Sequence, residues 1–221
     1  MEATQYNFDM ASSNLLHITD AFEHPITLFE KWLKEAEDND DLGWVKIINI
    51  ATVHGATEVL SRNVIMRKFD QSGFVFVTER NSRKFADLKE NPNVAGTFFW
   101  KYKLDGNVVL KQIRITGKVS ELPPDEISKF YAEEGISTRI RCKICKCGQP
   151  CDWDELKKKH DEALLNFKNG TEKFEQNENY TALVLQPETM DFYFSMPGCI
   201  ADRIYYTKDN AGKWSSQHIY A

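Results

Sequence analysis

The chain has 221 residues, 42% of them hydrophobic and 12% aromatic, enough to bury one substantial core and too few for two large domains. Its net charge of -5 and pI near 5.6 set up no positive field that would draw in nucleic acid or an anionic membrane, so an anionic ligand must be held by local basic residues. No segment approaches the roughly 20 apolar residues of a membrane span, and the polar start lacks the basic and apolar stretches of a signal peptide, so a cytoplasmic protein is expected.

Residues 1–22 show no sustained periodicity and are expected to form a flexible or wrapping arm, leaving 23–221 as a single domain. Pro25 then opens a helix in which Leu28, Phe29, Trp32, Leu33 and Ala36 fall on one face at helical spacing. From Trp44 the pattern changes to short runs rich in β-branched and aromatic residues: WVKIINIATV, VLSRNVIM, FVFVT, NVAGTFFWKYK and VVLKQIRITGKV. Turn chemistry separates them at Asp70-Gln71-Ser72-Gly73 and at Leu104-Asp105-Gly106-Asn107. One helix interrupts the series in NSRKFADLKEN, with Asn81 or Ser82 as its cap and Pro92 just past its end. Two helical stretches follow, PPDEISKFYAEEG and DWDELKKKHDEALLNFKNG, and the chain returns to strands in YTALVLQP, MDFYFS, DRIYYTK and KWSSQHIY. Strands dominate and the helices are scattered among them, which indicates an α+β fold built on an antiparallel meander or barrel.

Several of these segments, in order, resemble the pyridoxamine 5'-phosphate oxidase family: HPITLFEKWLKEA, the stretch from Ala51 to Pro92, KQIRITGKVSEL, and DFYFSMPGCIADRIYY with the last strand. The arginine-led strand, the Ser-Arg-Lys tripeptide and the Q-x-R-x-x-G strand are together far more specific than any one alone. The resemblance covers residues 24–221 and implies a split β-barrel that binds FMN between the subunits of a homodimer. It implies that Arg62, Asn63, Val64, Ile65, Met66 and Arg67 lie along the flavin, with Arg62 near its phosphate. Ser82, Arg83 and Lys84 would supply the other phosphate contacts, a sensible chemistry because a phosphate suits guanidinium forks and a helix N-terminus. Val77 and Thr78 match a flavin-contacting pair, and Gln112 matches the amide that meets the polar edge of the ring. Tyr193 stands where the family has tryptophan, Arg203 matches a further flavin-binding arginine, and Gln149 matches another contact although Pro150 replaces the serine after it.

The substrate positions depart from the family. Its phosphate-gripping lysine, tyrosine, arginine and serine correspond here to Arg67, Phe130, Glu134 and Thr138, so a hydroxyl is lost at Phe130 and a charge is reversed at Glu134. The arginine and histidine that embrace the substrate over the flavin correspond to Cys199 and Ala201, neither of which has a fork or a proton to offer. The connection KYKLDGNVVLK between Trp100 and Gln112 is longer than the family's, read as a hairpin with a solvated tip. These departures indicate an FMN-dependent oxidoreductase acting on a small molecule other than a pyridoxine phosphate. A catalytically silent FMN-binding protein is the alternative, and an authentic pyridoxamine phosphate oxidase with rebuilt contacts the third reading.

Cys142, Cys145, Cys147 and Cys151 lie within one decapeptide. Such density is compatible with a metal, with disulfide chemistry or with inert thiols, and the segment is cramped for four zinc ligands; no metal site is assigned. The cluster falls where the family has a flavin-adjacent loop. His54, His160 and His218 show no partner pattern and are given no role.

Overall fold

The computed structural model describes residues 13–39 and 43–221, so the first twelve residues of the expected arm lie outside the described residues. Helix α1 (Pro25–Asn39) buries Pro25, Ile26, Leu28, Phe29, Trp32, Leu33 and Ala36, the stripe read from the sequence with two residues added at its start. Phe29 sits at the centre of the main core, edge-on to Phe74 with ring centroids 4.8 Å apart and against Phe69 and Phe98.

Six antiparallel strands form the barrel: β2 (Ile47–His54), β3 (Glu58–Asp70), β4 (Gly73–Glu79), β5 (Asn93–Leu104), β6 (Asn107–Glu121) and β7 (Tyr180–Ser195). β7 closes it. One edge of β7 pairs with β6 along its length, while the other pairs first with β4, through Tyr180–Leu185, and then with β9 (Asp202–Lys208), through Thr189–Phe194. The barrel therefore splits where β4 leaves β7, and β9 carries β10 (Trp214–Ile219) outward as a hairpin. This is the α+β split barrel expected from the sequence.

One difference from the sequence reading has a local cause. YTALVLQP and MDFYFS form one continuous strand rather than two, because Pro187 falls at a register shift opposite Gly117, where the missing amide costs no ladder bond. A side chain at Gly117 would bring its Cβ 2.0 Å from the Gln186 carbonyl oxygen, which explains the glycine of the Q-x-R-x-x-G strand. The β5–β6 hairpin ends in the solvated tip expected of it, with Asp105, Gly106 and Asn107 exposed. Its ladder runs to Leu104 opposite Asn107 across a two-residue turn with positive φ at Asp105 and Gly106, and the added length buries Tyr102 and Val109.

Helix α2 (Arg83–Glu90) follows β4 directly. Between β6 and β7 stand α3 (Pro124–Ala132), α4 (Ile136–Ile144) and α5 (Trp153–Lys168). The sequence reading missed α4, a nine-residue helix that starts at Gly135 without a side-chain cap. A short strand, β1 (Asn14–Leu15), runs parallel to β8 (Cys199–Ile200), and the buried Ile18 fixes this end of the chain to the main core. Among the described residues no helix is long and apolar enough to cross a membrane.

Candidate functional site

β3, β4, the turn into α2, and α4 enclose a cavity of about 320 Å³, lined among others by Asn63, Ile65, Arg67, Thr78, Lys84 and Glu134. Its two ends differ in charge.

At one end the chain turns from β4 into α2. The first intrahelical bond of α2 is donated by the Phe85 amide to the Ser82 carbonyl at 3.1 Å, so the Arg83 and Lys84 amides precede the ladder at the positive end of the helix. The buried Ser82 hydroxyl makes no capping bond and lies 3.2 Å from the Thr78 hydroxyl, to which Lys84 Nζ donates at 3.1 Å. Burial pushes the Lys84 pKa down, and the nearby Arg62 and Arg141 guanidiniums add to the effect against Cys147 and Glu79. A lysine so placed gains from an anion. Arg62 is aimed by its own supports: Nη1 donates to Thr52 Oγ1 at 2.7 Å and to the Leu60 carbonyl at 3.1 Å, with Asp87 at 3.9 Å. Asp87, buried in α2, also accepts from Thr52 at 3.0 Å and meets His54 Nδ1 at 2.7 Å, which gives His54 a supporting place in this network. Arg62 itself does not line the cavity, but the Thr78 and Ser82 hydroxyls, the Lys84 ammonium and the first α2 amides form a donor set that fits one phosphate group.

At the other end the cations are already satisfied. Arg67 Nη1 donates to Glu134 Oε1 at 2.6 Å, and the Tyr180 hydroxyl donates to the same oxygen at 2.8 Å. Burial, and then the hydrogen bond to Glu134, hold the Tyr180 phenol well above its ordinary range, so it remains a donor. The Glu134 backbone is fixed as well, because Arg139 donates to its carbonyl at 2.9 Å and to that of Ala132 at 2.8 Å, clamping the α3–α4 turn. The reversed charge at Glu134 is thus balanced by the arginine at position 67.

Of the residues singled out in the sequence, Asn63, Val64, Ile65, Arg67, Val77, Thr78, Ser82, Lys84, Glu134 and Thr138 line this cavity. Met66 instead points into the main core, and Phe130 packs on a smaller cluster around Ile127, Tyr131 and Tyr180. Arg83 is exposed and paired with Glu58 at 3.2 Å. Gln149 lines a separate cavity of about 310 Å³ with Cys145 and Cys151, while Cys147 lines the first cavity. Cys142 is buried on α4, and its thiol reaches Glu79 at 4.0 Å.

Gln112, Tyr193 and Arg203 form one row across the sheet: Gln112 pairs with Tyr193, and Tyr193 with Arg203. Arg203 is held by Asp191 at 2.5 Å, and the exposed Phe99 pairs with Gln112 from the other side. The row does not line the cavity. Tyr193 stands twelve residues along β7 from Thr181, the partner of Thr78, up to roughly 40 Å of strand. Cys199 and Ala201 lie half-buried at β8 and its junction with β9, with Cys199 opposite Asn14. Sequence reasoning missed Glu79 and Arg141 in the cavity wall and the buried Tyr180 behind Glu134; Arg141 belongs to the unread helix α4, and Tyr180 carried no signal beyond opening a strand.

A sequence profile of the family described as Pyridoxamine 5'-phosphate oxidase matches residues 45–193. Among curated relatives, the pyridoxine/pyridoxamine 5'-phosphate oxidase of Pelagibacter ubique is 30% identical over 191 residues, 86% of this chain and 88% of the relative. That of Haemophilus influenzae is 30% identical over 202 residues, 91% of this chain and 92% of the relative. Two solved structures share the fold. PhzG from Burkholderia lata, in complex with tetrahydrophenazine-1-carboxylic acid, has a TM-score of 0.81 at 20% identity and covers 95% of this chain and 100% of its own. A pyridoxamine 5'-phosphate oxidase-related, FMN-binding protein from Nostoc punctiforme has a TM-score of 0.69 at 16% identity and covers 87% of this chain and 97% of its own. With the arginine-led strand, the Ser-Arg-Lys turn and the split barrel all in place, the chain belongs to the pyridoxamine 5'-phosphate oxidase family.

Proposed function

We propose that the protein is a homodimeric, cytoplasmic, FMN-dependent oxidoreductase whose substrate is a small molecule other than pyridoxine or pyridoxamine 5'-phosphate. The observation that carries this reading is the asymmetry of the cavity: a phosphate-ready donor set at Ser82 and Lys84, and an arginine already neutralised by Glu134 at the other end. A substrate phosphate at Arg67 would have to displace a buried carboxylate or lie against it, and like charges at such distance repel by several kcal/mol when desolvated. At the Lys84 end the wall carboxylate, Glu79, is paired with Arg141 at 3.5 Å, and the Lys84 ammonium bonds the Thr78 hydroxyl, which leaves its charge to the cofactor phosphate.

Bound flavin would supply the redox chemistry, and the chain would supply placement and electrostatics. Lys84, Ser82 and the α2 amides would hold the phosphate, with Arg62 adding positive charge from behind the wall and with Ile65 and Val77 along the ring. Gln112, Tyr193 and Arg203 lie too far along β7 to join the same site on one chain, which supports a site completed by a second copy. Five free thiols accord with a reducing compartment.

The Ser-Arg-Lys turn gives the first test. Lys84→Ala is expected to weaken FMN binding by about 2 kcal/mol, the usual cost of losing a charged hydrogen bond, while Arg83→Ala, whose side chain is exposed and shared with Glu58, costs about 1 kcal/mol or less. Quenching of flavin fluorescence measures both. Equal dissociation constants for wild type and Lys84→Ala would remove this turn from the cofactor site.

A further inference from the structure

The arm, the start of β9 and the last strand bring together three side chains that take no part in the cavity. His17, Asp202 and His218 each present one ligand atom, all within 4.8 Å of one another. We propose that they form a binding site for one divalent transition-metal ion of borderline softness, Zn2+ or the comparable Co2+ and Ni2+. Two imidazoles and a carboxylate suit these ions, whereas Mg2+ and Ca2+ prefer all-oxygen sites.

The pair at the centre is already spaced as ligands. His218 Nδ1 lies 3.0 Å from Asp202 Oδ1, and two atoms each about 2.1 Å from a metal stand roughly 3.0 Å apart at a right angle and roughly 3.4 Å apart at the tetrahedral angle. The His17 ring lies 5.0 Å from the His218 ring, tilted by 45° rather than stacked, and both side chains are exposed enough to swing inward by the remaining ångström. Asp202 is the fixed member. Its Oδ2 accepts from the Ile18 amide at 2.7 Å and its Oδ1 from the Arg203 amide at 2.8 Å, the kind of outer contact that orients a metal-binding carboxylate. Arg203 turns its guanidinium to Asp191 and to the Tyr220 carbonyl, which partly removes the nearest competing cation.

Three protein ligands leave coordination positions open to water or another small ligand. An ion here would staple residues 16–18, already tied to β8 by the Leu16 amide and the Ile200 carbonyl, onto the β9–β10 hairpin beside Cys199 and Ala201. All three ligands come from one chain, so the site stands independently of the flavin reading.

Titration of the metal-free full-length protein with Co2+, followed by visible absorption, tests the proposal. The expected result is one ion per chain with ligand-field bands, no thiolate charge-transfer band, and unchanged binding in a C145S/C147S/C151S variant. His17→Ala and His218→Ala, both surface changes that leave the fold intact, should each weaken binding at least about tenfold. Absence of stoichiometric binding tighter than about millimolar overturns the site. So does Co2+ binding that survives both histidine changes, or that carries thiolate bands and disappears in the cysteine variant.

Discussion

The Glu134→Ala variant is expected to lose about 2–3 kcal/mol of folding stability and to gain an affinity for phosphate esters that the wild type lacks. Removing one partner of a buried ion pair costs about 3–5 kcal/mol when the survivor stays buried. Arg67 is 25% exposed and recovers part of its hydration, which brings the loss to the bottom of that range or just below it. The Tyr180 hydroxyl loses its acceptor in the same step. In urea the midpoint should fall while the slope stays constant, the sign of lost stability without a change in exposed surface. Arg67 would then face the cavity unpaired, so pyridoxamine 5'-phosphate should raise the Tm of the variant and leave that of the wild type unmoved. A variant as stable as wild type and equally indifferent to the ligand would make Glu134 a bystander.

Phe99→Glu is expected to separate the subunits and to release FMN with them. Phe99 is 61% exposed on β5, paired with Gln112 in the row that continues through Tyr193 to Arg203. Asn49 faces Thr97, so Ile47 and Phe99 stand two residues further along the same face, and Ile47 pairs with the half-exposed Ile65 of the cavity wall. An apolar band that joins the cavity to the Gln112–Tyr193–Arg203 row is where a second copy would seat. Aromatic anchors of this kind are worth about 2 kcal/mol or more, and a buried carboxylate adds to the loss, so dimer dissociation should rise by a hundredfold or more at about 3 kcal/mol. Sedimentation with and without FMN measures it. A wild-type protein that sediments as a monomer while holding FMN would contradict a shared site.

What the sequence disclosed depended on whether the relevant partners lie close along the chain. The α1 stripe was legible because it repeats every three or four residues, and the Asp105-Gly106 turn because few residues accept its backbone angles. Ser82 and Lys84 sit two residues apart on one turn and were legible as a motif. The charge reversal at Glu134 could be read, but its neutralisation could not, since Arg67 is 67 residues away and Tyr180 is 46. His218 carried no local sign because its partner Asp202 lies on another strand and His17 on the arm. Pro187 looked like the end of a strand and proved to be a bulge, a distinction made by Gly117 on the neighbouring strand.

The most direct test is anaerobic mixing of the FMN-loaded protein with pyridoxamine 5'-phosphate while the visible flavin absorbance is followed. The expected result is one FMN per chain, with an absorbance that decays at least about a hundredfold more slowly than that of a family enzyme under the same conditions. Bleaching at the enzyme's rate, with an equal amount of the aldehyde phosphate formed, would contradict the proposal that Glu134 closes this cavity to a substrate phosphate.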